Sequence, residues 1–356
     1  RAVPASRPGQ DGYGPAMATR TPAEHEAWLA RTVEAPIEPE LPIVDPHHHL
    51  WTHVEPAYLL DELRADTGSG HNVVATVFVE CGWSWDRTAT DPVMIPVPEV
   101  AAVADLARRS DATPGARIAA IVGHADLRHG AAAGRALDAL AEAGDGRFVG
   151  IRHATAWDAD PAIPDHRTDP GPGLMDDPTF RAGFAELARR GLTYDNWLYH
   201  PQIPELTRLA RDFPDTRVVC DHLGGPLGVR SYAGRRDEVH AETRASLAEL
   251  ARCENVALKL GGIGMSVLGD GWYRREAPPS SEELADAWGP LVRFCIETFG
   301  PDRCMFESNF PVDRESCSYV VLWNAFKRMV ADASPADRTA LFAGTARRVY
   351  GIAGTG

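Results

Sequence analysis

Val44-Asp45-Pro46-His47-His48-His49-Leu50-Trp51 closes the apolar run that opens at residue 42, and its three histidines set how the rest of the chain is read. Side chains two apart on an extended strand point the same way, so His47 and His49 aim at one point while His48 turns away. Two imidazoles converging at a strand end make half of a divalent-metal site. Working outward, apolar runs recur at 42–46, 73–80, 117–123, 148–152, 192–196, 217–221, 255–260 and 304–308. Between them lie helical patterns at 100–110, 131–143, 178–190, 203–212, 238–253, 281–299 and 317–333. This alternation predicts a parallel α/β sheet, and eight units favour closure into a single (β/α)8 TIM barrel. No GxGxxG follows the first run, which argues against an open dinucleotide-binding sheet. The expected organisation is an extended N-terminal arm over 1–40 and a barrel over 41–356.

Polar residues gather where the predicted strands end, the place where a barrel builds its active site. His153, His200 and His222 fall at or just beyond the fourth, fifth and sixth strands. Long irregular stretches at 81–98, 157–175 and 224–236 also follow strand ends and read as mouth loops. Trp51, Trp83, Trp85, Trp157, Tyr194 and Trp197 give that mouth an aromatic lining suited to a ring-shaped substrate, with Glu80 among them. About half of such aromatics would be expected simply to pack loops onto the rim. His53, His71, His124, His129, His166 and His240 read as structural or surface residues.

Composition narrows the function classes. The 356 residues carry 36 Lys+Arg against 50 Asp+Glu, a formal net charge of −14, so the basic footprint of a nucleic-acid or anionic-membrane binder is missing. Six dispersed cysteines without a CxxC pair suggest neither a zinc cluster nor a disulfide framework, and point to a reducing, cytoplasmic setting. Residues 1–21 are rich in Pro, Gly and Arg and resemble no signal peptide. Only Lys259 and Lys327 are lysines. The partner expected is a small molecule, with neither nucleic acid nor membrane, and a homo-oligomer is compatible with the sequence.

Taken together, Asp45 to Trp51, Val149-Gly150-Ile151-Arg152-His153, Cys220-Asp221-His222-Leu223-Gly224-Gly225-Pro226 and Arg303 to Asp313 resemble the amidohydrolase-related TIM-barrel hydrolases. That branch includes sugar-acid lactonases, 2-pyrone-4,6-dicarboxylate lactonase and some non-oxidative decarboxylases. The resemblance covers roughly 41–350. It implies that His47, His49 and His200 match metal-site histidines in metal-using members, that His222 sits near metal or substrate carbonyl, and that Arg152 helps hold substrate oxygens. It also implies one divalent ion, zinc or manganese, with metal-independent catalysis as the other case.

The chain departs from the family at the eighth strand, where Asn309 stands in place of the usual Asp. An amide cannot take a proton at neutral pH, although its oxygen can ligate a hard cation. Glu307, two residues earlier, is expected on the same face about 7 Å back along the strand, where burial and an imidazole neighbour would suit it to activating water. The opposing reading pairs Glu307 with Arg152 or another core arginine as a structural ion pair. Asp313, Asp195 and Asp221 are weaker bases, and Asp45 reads as a partner of the first-strand histidines.

The expected site therefore has Glu307, His222 and Asn309 as catalytic groups. Arg152, His153, Trp51, Glu80, Trp83 and Tyr194 are expected on the substrate, and His47, His49 and His200, with Asn309 as a further candidate, on the metal. Three functions compete: hydrolysis of a cyclic ester by activated water, metal-dependent decarboxylation or carbon–carbon cleavage of a small acid, and ligand binding on a scaffold that has lost catalysis. No serine elbow or paired reactive cysteine offers a covalent nucleophile.

Overall fold

Eight short apolar segments pair edge to edge in the order in which they occur, in a computed structural model that describes residues 20–354. The strands are β1 (Ile43–His48), β2 (Val73–Val79), β3 (Arg117–Gly123), β4 (Phe148–Arg152), β5 (Thr193–Asn196), β6 (Val218–Cys220), β7 (Val256–Leu260) and β8 (Cys304–Phe306). The helices are α1 (Pro22–Leu29), α2 (Leu60–Thr67), α3 (Val97–Asp111), α4 (Ala133–Ala143), α5 (Pro178–Ala188), α6 (Ile203–Asp212), α7 (Arg236–Leu250), α8 (Ser281–Phe299), α9 (Tyr319–Met329), α10 (Pro335–Thr339) and α11 (Thr345–Tyr350). All neighbouring strands run parallel. The ring closes just past β8, where His48 bridges Phe310, the Asn309 N–H donates to the His47 carbonyl at 2.9 Å, and the His49 N–H donates to the Phe310 carbonyl at 2.8 Å. The expected (β/α)8 barrel is the fold observed.

Strand alternation divides the core in two. Val44, Val77, Val79, Ala120, Val122, Val219, Ala257 and Met305 point inward and pack against Ala343, Ala346, Val349 and Tyr350 at the C-terminal end of the chain. Their neighbours Phe78, Ile121, Val218, Leu258 and Phe306 point outward beneath the helices. The same parity sends Arg152, Asp195, Asp221, Lys259 and Glu307 into the barrel.

On β1 the parity changes. Starting from inward Val44, plain alternation would turn His48 in and His47 out. A register shift between Asp45 and His48 against β2 reverses this, so that His47 and His49 face inward and His48 sits edge-on to Phe78 at 6.0 Å. Asp45 stabilises the bend. Its Oδ1 accepts from the Ser308 N–H at 2.9 Å and its Oδ2 from the Tyr319 hydroxyl at 3.0 Å, which ties β1 to the end of β8 and to α9. Asp45→Ala leaves the buried Ser308 N–H without its acceptor, and urea unfolding is expected to show a loss of about 1–3 kcal/mol.

The N-terminal segment is more structured than an extended arm. Thr21 and Glu24 form a reciprocal cap on α1, and the segment is fastened by Trp28 Nε1 donating to the Arg275 carbonyl at 3.0 Å and Lys327 Nζ donating to the Ile37 carbonyl at 2.8 Å. Residues 1–19 of the expected arm lie outside the described residues. Among the described residues no helix is long and apolar enough to cross a membrane.

Candidate active site

The C-terminal ends of β1, β4, β6, β7 and β8 bring His47, Arg152, His222, Lys259 and Glu307 together, with His49 beside them, and all six are buried. Glu307 is the hub. Its Oε1 lies 2.6 Å from His222 Nδ1 and accepts from the His222 backbone N–H at 3.2 Å. Its Oε2 lies 2.8 Å from His47 Nδ1 but, buried, makes no aligned hydrogen bond. Burial pushes the Glu307 carboxyl up to about 8, against the pull of the Lys259 ammonium. Burial also pulls His222 down to about 3 and His47 well below the usual range, helped for His47 by Lys259, so both imidazoles are neutral.

Lys259 was not singled out as a site residue by the sequence reading. Its ammonium donates to Asp195 Oδ2 at 2.7 Å, lies 3.2 Å from Asp221 Oδ1 and 3.1 Å from His47 Nδ1, and sits over the Tyr350 ring. The Tyr350 hydroxyl donates to the same Asp195 oxygen at 2.6 Å. A solitary charge inside the apolar strand Val-Ala-Leu-Lys-Leu was the available signal, because lysine is almost never fully buried without partners.

Arg152 is held by Glu80 rather than by Glu307. Its Nε donates to Glu80 Oε1 at 2.9 Å and its NH2 to the Glu80 carbonyl at 2.6 Å, leaving NH1 at 3.3 Å from His47 Nε2. The second oxygen of Glu80 pairs with Arg167. Burial disfavours the Glu80 charge, but Arg167 and Arg152 outweigh it and hold the carboxyl well below the ordinary range. Glu80 thus clamps two arginines, and nothing places it directly on a substrate. The structural ion pair considered for Glu307 belongs to Glu80.

Other expected residues divide between site and core. His49 donates from Nδ1 to the Val79 carbonyl at 2.8 Å, which leaves Nε2 facing His47 Nε2 at 3.3 Å, and Trp51 stacks on its ring. Trp197 meets the His222 ring edge-on at 4.9 Å. Trp83 stands at the rim with Nε1 donating to Thr52 Oγ1 at 3.0 Å. Its backbone and the Trp85 indole both donate to buried Glu99, which shapes the loop after β2.

His153 and Tyr194 belong to the opposite face. Since Arg152 points in, His153 points out, where its Nδ1 accepts from the Leu127 N–H and its ring packs on Phe180. Tyr194 likewise packs on Phe184 and donates to the His153 carbonyl at 2.9 Å. His200 is turned toward α7: its Nδ1 accepts from the Leu227 N–H at 3.3 Å, its ring touches Tyr232, and its Nε2 lies 3.6 Å from Glu242. Asn309 does not share an extended face with Glu307. The strand stops at Phe306, Asn309 adopts a φ of 55°, and its Nδ2 donates to Asp313 Oδ1 at 2.8 Å.

Among the described residues, the histidine, cysteine and carboxylate group able to hold a metal ion is His47, His222 and Glu307, whose ligand atoms lie within 4.8 Å of one another. The set fits a divalent ion such as zinc: two neutral imidazoles and a buried carboxylate oxygen free of hydrogen bonds offer three lone pairs. Lys259 and Arg152, each against one nitrogen of His47, compete for its single lone pair and, as cations, lower the affinity of that set for a metal ion. The metal-ligand set expected from the sequence shares only His47 with this group.

The family profile described as "Amidohydrolase" matches residues 44–352. The chain belongs to the amidohydrolase family. This amidohydrolase is 32% identical over 336 residues, 88% of its own length and 99% of the relative's, to the uncharacterised protein y4mH of Sinorhizobium fredii. It is 31% identical over 242 residues to the L-fucono-1,5-lactonase of Burkholderia multivorans, covering 67% of this chain and 73% of that one. A crystal structure of an amidohydrolase from Burkholderia multivorans with bound zinc superimposes with a TM-score of 0.69 at 26% identity, covering 87% of this chain and 99% of that one.

Proposed function

We propose that this amidohydrolase opens a cyclic ester of a small organic acid with water as the nucleophile. The observation that carries the reading is Glu307, a buried carboxylate fixed at one oxygen by His222 and presenting its other, unbonded oxygen beside His47. The relationship to an L-fucono-1,5-lactonase supports it. With the ester carbonyl against Arg152, the guanidinium that Glu80 pins in place donates to the oxygen on which negative charge develops. In its ionised form, which predominates only above the value of about 8 to which burial pushes it, Glu307 takes a proton from the attacking water at Oε2 and returns it to the departing ring oxygen. His222 keeps the carboxylate oriented throughout, and Trp51 and Trp197 shield the ring from bulk water. A divalent ion held by His47, His222 and Glu307 would supply Lewis-acid polarisation of the carbonyl and acidification of water.

Acid release from a panel of sugar-acid and simple lactones, followed by pH-stat titration, tests the reading. Turnover is expected to fall at least a hundredfold in His222→Ala. Carbon dioxide release from aromatic or β-keto acids, with every lactone left intact, would replace it with a lyase. Elemental analysis of protein purified without chelators is expected to find zinc or manganese near one per chain, lost in His47→Ala; an active, metal-free preparation would assign the polarising role to Arg152 alone.

A further inference from the structure

The cavity above the centre is lined by residues that include His49, Trp51, Cys81 and three arginines, Arg87, Arg152 and Arg167, and among the described residues no carboxylate lines it. Glu80, buried beneath, accounts for one negative charge shared between Arg152 and Arg167. The lining guanidinium groups outnumber the carboxylates beneath them, Glu80 and Glu99, and burial pushes the Glu99 carboxyl up to about 7, so the local balance is positive on a chain whose overall charge is −14. Low-dielectric walls focus such a field at the opening, and net charge elsewhere does not cancel it.

Two arginines are built into this wall in different ways. Arg167 is mostly buried; its guanidinium lies 5.5 Å from the Trp85 ring centre, and its Nε–H is buried without an acceptor. Gly82, at a φ of 78°, makes room for it: a Cβ there would stand 2.9 Å from Arg167 Nε. Arg87 approaches the same Trp85 ring, also at 5.5 Å, which keeps the two guanidinium carbons no more than 11 Å apart. Among the described residues no carboxylate pairs with Arg87. Two guanidinium groups gathered on one indole, one lacking a counter-charge and the other with an unused donor, form a receptor for a planar oxyanion.

Resting on the lactone-opening reading of the same centre, we infer that the substrate carries a carboxylate, bound by Arg87 and Arg167, with the ester ring lying over Trp51 and His49 and its carbonyl directed to Arg152. The loop after β2, shaped by Glu99, and the loop after β4, which carries Arg167, then select for anionic lactones over neutral ones. Nothing in the reaction itself requires that charge.

Glutarate, which offers two carboxylates and no ester, is the binding probe, with neutral glutaramide as control. Isothermal titration at 20 and 200 mM salt is expected to show glutarate binding at least tenfold tighter than glutaramide, weakening with salt, and at least tenfold weaker in Arg87→Met. Arg87 is exposed, so this variant is expected to fold; Arg167→Met, which also strips a partner from Glu80, is the second variant, with its melting temperature measured alongside. The matched substrates are 5-oxotetrahydrofuran-2-carboxylate and its methyl ester, with kcat/KM for acid over ester expected to fall at least tenfold in Arg87→Met. Equal binding of glutarate and glutaramide, no glutarate binding at all, or unchanged affinity in Arg87→Met overturns the inference. If the ester is opened as fast as the acid, the anion assignment fails and lactone opening stands. If neither lactone is opened while glutarate binding depends on Arg87, the anion site stands and lactone opening of these rings fails.

Discussion

Glu307→Gln is expected to lower kcat/KM for any lactone the enzyme opens by about 10²–10⁴, the contribution of a positioned general base. The amide keeps the volume of the side chain and one acceptor oxygen, so the backbone N–H of His222, 3.2 Å from Oε1 in the wild type, retains its partner. What disappears is the capacity to hold a proton at Oε2, where the carboxylate faces His47 without a hydrogen bond. The melting temperature should change little, because burying a neutral amide costs less than burying a carboxylate that burial already pushes up to about 8. A Glu307→Gln protein with near wild-type kcat/KM and unchanged melting temperature would assign proton transfer elsewhere, with Asp221, 3.9 Å from His47 Nδ1, the next carboxylate to test.

Lys259→Met is expected to cost stability first and activity second. Its ammonium stands between Asp195 and Asp221, all three shut off from solvent. Removing one partner of a buried charge group typically costs 3–5 kcal/mol, because the carboxylates left behind are uncompensated. Against a typical total stability of about 5–15 kcal/mol, that is a large fraction, visible as a shifted denaturation midpoint. Lys259→Met combined with Asp195→Asn should recover part of the loss, since the second change removes one of the stranded charges. If the double variant is less stable than Lys259→Met, the interior is held by hydrogen bonding from Tyr350 rather than by charge balance.

The particular residues show where a linear sequence speaks clearly. The β3 and β4 limits coincide with the apolar runs at 117–123 and 148–152, because β-rich runs between turn signals leave the backbone few alternatives. His47, His49, His222 and Glu307 were legible as polar residues at strand ends, but only Glu307 faces inward by plain alternation: the β1 register shift turns the first two, and a positive φ of 54° just past β6 turns His222. The errors are equally physical. Arg152 and His153 were both placed on the substrate, yet adjacent strand residues take opposite faces, and the same rule separates Tyr194 from Asp195. His200 lies four residues beyond β5, where the loop path rather than strand parity sets direction. The shift between Asp45 and His48 left no mark in the hydrophobic pattern, although it is what turns His47 inward. Helix α2 was missed because Leu-Asp-Glu-Leu-Arg-Ala-Asp-Thr buries only Leu60, Leu63 and Thr67, too few for a visible amphipathic period.

The hydroxyl of Tyr350 reaches up from the barrel floor to Asp195, and so enters the charge network that lies under His47. In the order of synthesis this makes the centre a late assembly. The ribosome delivers His47 early, about 300 residues before the aromatic ring that completes its surroundings. Without that ring, Asp195 lacks the hydroxyl that bonds it and Lys259 lacks the aromatic face beneath it. The surroundings of His47 are therefore complete only once Tyr350, on α11, has docked against Asp195 and Lys259.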